Sequence, residues 1–135
     1  MKKFSAMESE MIRKAREVAG HSHAPYSGFP VGCAIADQDG KIYTGCNVEN
    51  ASFGLSVCAE RNAIFHAVSV MDKKLQIRTV IIYTPTPSPT PPCGACRQVI
   101  SEFAENPVII SVCDGRDIIT GSLNDMFTHP FNLKP

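Results

Sequence analysis

Residues 78–84 read Arg-Thr-Val-Ile-Ile-Tyr-Thr. The run is apolar, rich in β-branched side chains and of strand length, which suits a buried strand at the centre of a sheet. Residues 84–92 follow as Thr-Pro-Thr-Pro-Ser-Pro-Thr-Pro-Pro, five prolines in nine residues. Taken alone, such a segment is a polyproline linker or a ligand for a proline-binding module. Here it joins a central strand to a helical segment in a chain of 135 residues, the size of one domain, so it reads as a stiff ordered loop.

Upstream, residues 5–19 set Met7, Met11, Ala15, Val18 and Ala19 on one helical face, and Gly20 ends that helix. Residues 21–30, with Pro25, Gly28 and Pro30, read as a loop. Residues 31–36 and 41–48 are strand-like runs on either side of Asp39-Gly40, a hairpin signal. The stretch Asn50-Ala51-Ser52-Phe53-Gly54 breaks the pattern, and residues 56–71 are helical. Downstream, residues 96–104 are helical, 107–113 form a strand, and Asp114-Gly115 turns into a second strand at 116–120, before a short helix at 122–127. Helix, two strands, helix, strand, helix, two strands, helix is the order of one α/β domain with a mixed sheet of about five strands, spanning residues 1–135.

Composition narrows the function classes. The chain is 44% hydrophobic and 19% charged, enough to bury a core. Thirteen Lys and Arg balance thirteen Asp and Glu, so there is no general electrostatic grip on nucleic acid or anionic lipid. No apolar run is long enough to span a bilayer. The start, Met1-Lys2-Lys3-Phe4-Ser5-Ala6-Met7-Glu8, turns polar too early for a signal peptide, which predicts a cytoplasmic protein. In a reducing compartment the six cysteines, Cys33, Cys46, Cys58, Cys93, Cys96 and Cys113, point to metal binding or chemistry ahead of a disulfide scaffold.

Two groups of residues carry the chemistry: Cys58-Ala59-Glu60 and, 33 positions after Glu60, Cys93-Gly94-Ala95-Cys96. Both lie at predicted helix N-termini, where free N–H groups and the helix dipole stabilise the metal-binding thiolate. Cys93 and Cys96 can reach one ion from a single turn and Cys58 supplies a third sulfur. Three protein ligands leave one position of a tetrahedral zinc open to water, whose pKa falls to about 7. Glu60, two residues from a ligand, is placed to take and pass on a proton. A ligand-x-Glu motif followed by Pro-Cys-x-x-Cys, here with Pro92, is the signature of zinc-dependent nucleobase deaminases. Three thiolates and Zn²⁺ sum to −1, which weakens acidification of water; Arg61 is expected to donate to a cysteine sulfur from the second shell, and Arg97 to add compensating charge.

Blander readings stand beside this one. Cys93-x-x-Cys96 alone suits a redox pair, but that explains neither Cys58-Ala59-Glu60 nor the prolines. A closed structural zinc site in an interaction module would take Cys33, Cys46 or Cys113 as fourth ligand, although Cys33 and Cys113 fall in strand patterns where cysteine is a small hydrophobe.

Four motifs in order, residues 25–32 (Pro-Tyr-Ser-Gly-Phe-Pro-Val-Gly), 45–51 (Gly-Cys-Asn-Val-Glu-Asn-Ala), 58–61 (Cys-Ala-Glu-Arg) and 92–98 (Pro-Cys-Gly-Ala-Cys-Arg-Gln), resemble the small, homotetrameric, zinc-dependent cytidine deaminases over nearly the whole chain. The resemblance implies a three-layer α/β/α sandwich, one Zn²⁺ per subunit, and hydrolysis of cytidine and deoxycytidine to uridine and deoxyuridine plus ammonia in pyrimidine salvage. It implies that Phe29 packs on the pyrimidine, that Asn47 and Glu49 hydrogen-bond the ribose 3′-hydroxyl, and that the main chain around Ala59 holds the base. Glu60 would protonate N3 and then the departing ammonia, with Cys58, Cys93 and Cys96 on zinc. Active sites would be shared between subunits of a homotetramer, Phe131 stacking on the base of the adjacent site.

Some positions depart from the family pattern. Phe53 stands where Tyr is common near the sugar's 5′ side, and Cys33 where Ala is frequent. The usual Leu-Leu-Pro-x-x-Phe ending reads Met126-Phe127-Thr128-His129-Pro130-Phe131. Deamination of a modified cytosine nucleoside such as blasticidin S is the neighbouring alternative, opposed by retention of Asn47 and Glu49. Nucleic-acid editing shares the zinc chemistry but conflicts with the neutral charge and short chain.

Overall fold

The computed structural model describes residues 3–133. Helix α1 (Ala6–Ala19) starts at a capping box: the Ser5 hydroxyl accepts from the Glu8 N–H and the Glu8 carboxylate accepts from the Ser5 N–H. It buries Met11, Ala15 and Ala19, as the periodicity requires, whereas Met7 is 44% exposed at the open end of the stripe.

Strands β1 (Gly32–Asp37) and β2 (Ile42–Cys46) form the expected antiparallel hairpin. The buried Asp37 carboxylate ties its turn by accepting from the Asp39 and Lys41 N–H groups. Strand β3 (Ile77–Tyr83) is the central strand the apolar run predicts, antiparallel to β1 and parallel to β4 (Val108–Val112). Strand β5 (Ile119–Ser122) pairs antiparallel with β4, giving a mixed sheet in the order β2-β1-β3-β4-β5.

Side chains alternate across β3 into two cores. Ile81 and Tyr83 pack with Met11, Ala15 and Ile110 under α1. Val80 and Ile82 pack on the other face against helices α2 (Ala59–Val70) and α3 (Gly94–Glu102), with Leu123 of the short α4 (Leu123–Met126) closing that core. The result is a three-layer α/β/α sandwich around five strands. Helix α2 lies so close to β2 that a β-carbon on Gly45 would come within 2.2 Å of the Ala63 nitrogen.

Element ends differ from the sequence reading for local reasons. Helix α2 begins at Ala59, not residue 56, because Val57 forms a bridge with Val48 and Cys58 is an extended N-cap. Helix α3 begins at Gly94, two residues early, with Cys93 as its N-cap. Strand β5 starts at Ile119, not residue 116. Residues before it hold the proline loop instead: Asp114 N–H donates to Thr86 O, and the Cys113 thiol lies against the carbonyls of Pro87 and Asp117. In the sheet, Gly32 pairs with both Cys46 and Tyr83, so the start of β1 and the ends of β2 and β3 meet at one place.

Candidate active site

The three cysteines reach this place from two helix starts. Cys58 is the N-cap of α2, Cys93 the N-cap of α3, and Cys96 sits one turn into α3, its N–H directed at the Cys93 sulfur at 3.5 Å. Their Sγ atoms all lie within 4.8 Å of one another, and Cys58 and Cys93 are 3.8 Å apart. Zinc at about 2.3 Å from each sulfur of a tetrahedron sets the sulfurs about 3.8 Å apart, so this donor set fits zinc. Among the described residues no fourth His, Cys, Asp or Glu joins the group. Cys33, Cys46 and Cys113 stand outside it, which removes the closed structural site as a reading of this geometry and leaves a coordination position for a small molecule.

The groups around Cys58 favour its thiolate. The Cys58 thiol is drawn down to about 5, first by the hydrogen bond from Cys96, with burial opposing and Arg61 and Cys93 assisting. Cys96, the partner that keeps the shared proton, is pushed up by that same bond and by burial. The Arg61 guanidinium donates to Cys58 Sγ at 3.4 Å, the contact with a ligand sulfur that the sequence led one to expect. Arg97 does not serve the sulfurs: its Nε donates to Pro92 O at 2.8 Å and its NH1 to Met126 O at 2.7 Å. It braces the ligand turn through the main chain and makes no bond to a sulfur.

Glu60 is buried, 5% exposed, and burial raises its carboxyl to about 7, against the pull of its own backbone N–H. It lines a cavity of about 400 Å³ together with Cys58, Ala59 and Cys93. Phe29, Asn47 and Glu49 line the same cavity.

Asn47 already works within the protein. Its Oδ1 accepts from the Val31 N–H at 2.8 Å and from the Ser22 hydroxyl, and its Nδ2 donates to Phe29 O at 2.8 Å. One amide hydrogen is left over from this set. Glu49 Oε1 accepts from the N–H groups of Tyr26 and Ser27 at 3.0 and 3.1 Å, and bonding to Ser27 leads in holding its carboxyl below the usual range. These two residues therefore shape the loop that carries Phe29.

Phe131 does not line the cavity of its own chain and is 73% exposed. Phe53 lies outside the main cavity too. Its ring meets Tyr26 edge-on at 5.7 Å, and the pair walls an adjoining hollow that shares Ser27 and Glu49 with the main cavity. Sequence reasoning missed Thr90 and Pro91 as cavity walls and Ile82 as its floor. The proline run was the available signal, since a stiff loop between a central strand and a ligand turn has to border the site.

Comparison with known proteins follows the same lines. Residues 5–112 match the family model described as the cytidine and deoxycytidylate deaminase zinc-binding region. A cytidine deaminase of Sporosarcina psychrophila is 46% identical over 94 residues, 70% of this chain and 68% of that one. The crystal structure of cytidine deaminase from Burkholderia pseudomallei superposes with a TM-score of 0.84 at 35% identity, covering 95% of this chain and 100% of that chain. The enzyme of the same description from Mycobacterium tuberculosis gives 0.80 at 30% identity, over 96% and 100% of the two chains.

Proposed function

The chain belongs to the family of cytidine and deoxycytidylate deaminases built on one zinc-binding region, its activity is zinc-dependent deamination of cytidine, and we propose that Glu60 is its proton carrier and that free cytidine and deoxycytidine are both substrates. The observation that carries this reading is a single one. A buried carboxyl with a pKa of about 7 stands beside three clustered thiols, and it lines with Cys58 and Cys93 a cavity of about 400 Å³, a volume suited to a small molecule.

Cys58, Cys93 and Cys96 hold the zinc, which when bound supplies Lewis acidity that readies water as a nucleophile near neutral pH. The reaction consumes one water and exchanges the exocyclic amine at C4 for oxygen, giving uridine and ammonia. Glu60 takes a proton from the water and delivers it to N3 of the base, then takes the second proton from the oxygen now bonded to C4 and passes it to the departing amine. A carboxyl poised near 7 both accepts and releases protons at working pH. Phe29 packs on the pyrimidine and the main chain at Ala59 holds the base. Glu49 accepts from the ribose 3′-hydroxyl, and the remaining amide hydrogen of Asn47 donates to it. No group in this set addresses the 2′-hydroxyl, so ribose and deoxyribose are treated alike.

Phe131, which is exposed and does not line its own cavity, serves the cavity of an adjacent subunit in a homotetramer. The enzyme works on nucleosides in cytoplasmic pyrimidine salvage and has no nucleic-acid partner, in keeping with a formal net charge of zero. No helix among the described residues is long and apolar enough to cross a membrane.

The test follows the ultraviolet absorbance of cytidine and deoxycytidine with the protein and with Glu60→Gln. Loss of the cytidine band with the parent only, at equal zinc content, is the expected result. A Glu60→Gln variant of full activity overturns the role of Glu60. A zinc-loaded parent that leaves cytidine and deoxycytidine untouched but consumes blasticidin S transfers the activity to modified nucleosides.

A further inference from the structure

Two consecutive residues after Cys96 reach out of α3 to the C-terminal segment. Arg97 joins Pro92 O, at the ligand turn, to Met126 O at the end of α4. Gln98 makes a closed pair of bonds with one residue: its Oε1 accepts from the Phe131 N–H at 3.0 Å and its Nε2 donates to Phe131 O at 2.9 Å. A primary amide offers one acceptor and one donor side by side, so it pairs with a main-chain residue as a neighbouring strand would. The segment from Thr128 to Leu133 belongs to no helix or strand, and α4 before it is only four residues long. Left to itself such a segment frays. Phe131 nevertheless has both its main-chain polar groups bonded to Gln98 while the residue is 73% exposed, an arrangement that leaves much of an aromatic side chain in water.

We propose that Gln98 is the positioning residue for Phe131, holding the aromatic ring at a set reach from the zinc-ligand helix. This rests on the reading that Phe131 serves the cavity of an adjacent subunit. The clamp makes tail and ligand helix one mechanical unit. A subunit whose α3 start is ordered around its own metal thereby presents its ring in the geometry its neighbour needs. Pro130 stiffens the approach to the clamp, and the clamp takes over the restraint that a proline at Thr128 would otherwise exert on the same short segment.

The test compares Gln98→Ala, Gln98→Glu and Phe131→Ala in the zinc-loaded protein, reading cytidine KM and kcat, zinc stoichiometry, oligomeric state, and hydrogen exchange of the Phe131 amide. Phe131→Ala is expected to raise KM roughly 5- to 100-fold, the scale of a lost base-stacking ring. Gln98→Ala is expected to raise KM in the same direction with kcat and zinc content kept, and to abolish protection of the Phe131 amide. Gln98→Glu keeps the shape and the acceptor but sets a carboxylate against Phe131 O, so it is expected to retain part of the amide protection and to fall between parent and Gln98→Ala in KM. A raised KM in Phe131→Ala with an unchanged KM in Gln98→Ala overturns the positioning role of Gln98. An unchanged KM in Phe131→Ala overturns the reading of Phe131 itself.

Discussion

The carbonyl oxygen of Pro87 occupies the space above Gly115, where a β-carbon would come within 2.1 Å of it. The turn after β4 is thus pressed against the proline loop, backbone on backbone, and two hydrogen bonds flank the contact: Thr84 N–H to Val112 O and Asp114 N–H to Thr86 O. Three residues beyond Pro87 the same loop supplies Thr90 and Pro91 to the cavity wall, and then Cys93. Gly115→Ala is expected to destabilise the fold by about 1–3 kcal/mol through overpacking and to cut kcat/KM for cytidine by ~10- to 100-fold through displacement of that wall. Thermal unfolding and steady-state kinetics check it; unchanged kinetics in a destabilised variant would separate the loop from the site.

Asn47 joins three groups at once, the Val31 N–H, the Phe29 carbonyl and the Ser22 hydroxyl. Removing its amide strands the partly buried main-chain partners, at about 1–3 kcal/mol. Asn47→Ala is therefore expected to lose stability as well as substrate affinity. The KM for cytidine should rise further than in a Glu49→Gln variant, whose Oε1 still accepts from Tyr26 and Ser27. Denaturant unfolding beside kinetics for both variants measures the difference.

Arg61 donates to Cys58 Sγ at 3.4 Å and offsets the excess negative charge of three thiolates. Arg61→Ala is expected to weaken zinc binding ~10- to 100-fold, as loss of an outer-sphere partner does. Competition against a chromophoric chelator reads it directly. Parent-like affinity in the variant would show that the two helix starts suffice.

Tyr83 donates its hydroxyl to Asp114 Oδ1 at 2.6 Å, with the Arg16 guanidinium 4.6 Å above its ring. Burial, and then the bond to Asp114, raises the tyrosine above its ordinary value of 10.0. The folded state holds this proton more tightly than the unfolded chain does. The contribution is whole below pH ~10 and is lost as pH rises through the folded value. Tyr83→Phe is expected to cost about 1 kcal/mol near neutrality and to flatten the alkaline fall of stability. Unfolding free energies of both proteins at neutral and alkaline pH test the sign.

Much of this was legible in the residues alone. The apolar run at 78–84 announces the central strand because a strand covered on both faces needs apolar side chains at successive positions. The Asp39-Gly40 hairpin and the α1 periodicity are equally local signals. The zinc cluster could be read from spacing because a Cys-x-x-Cys turn delivers two sulfurs by helix geometry. Element ends were less legible. Cys58 and Cys93 are N-caps, and whether a residue is the last extended one or the first helical one depends on what its neighbours bond, here Val48 to Val57 for α2. The start of β5 is displaced because the residues before it hold the proline loop, a contact between segments 26 or more positions apart.

Sequence by itself determined the order of the elements, the Cys58-Ala59-Glu60 and Cys93-x-x-Cys96 patterns and the placing of Arg61 one turn from Cys58, since each is a local pattern of spacing and side-chain type. Tertiary structure alone decided that Glu60 is buried deeply enough for its carboxyl to sit near 7, and that Arg97 reaches across to the Met126 carbonyl. It also decided that Asn47 staples the loop bearing Phe29 and that Gln98 grips Phe131. Desolvation and these pairings depend on groups brought together from distant parts of the chain, Asn47 with Val31 and Phe29, Gln98 with Phe131, and no short window of sequence contains both partners.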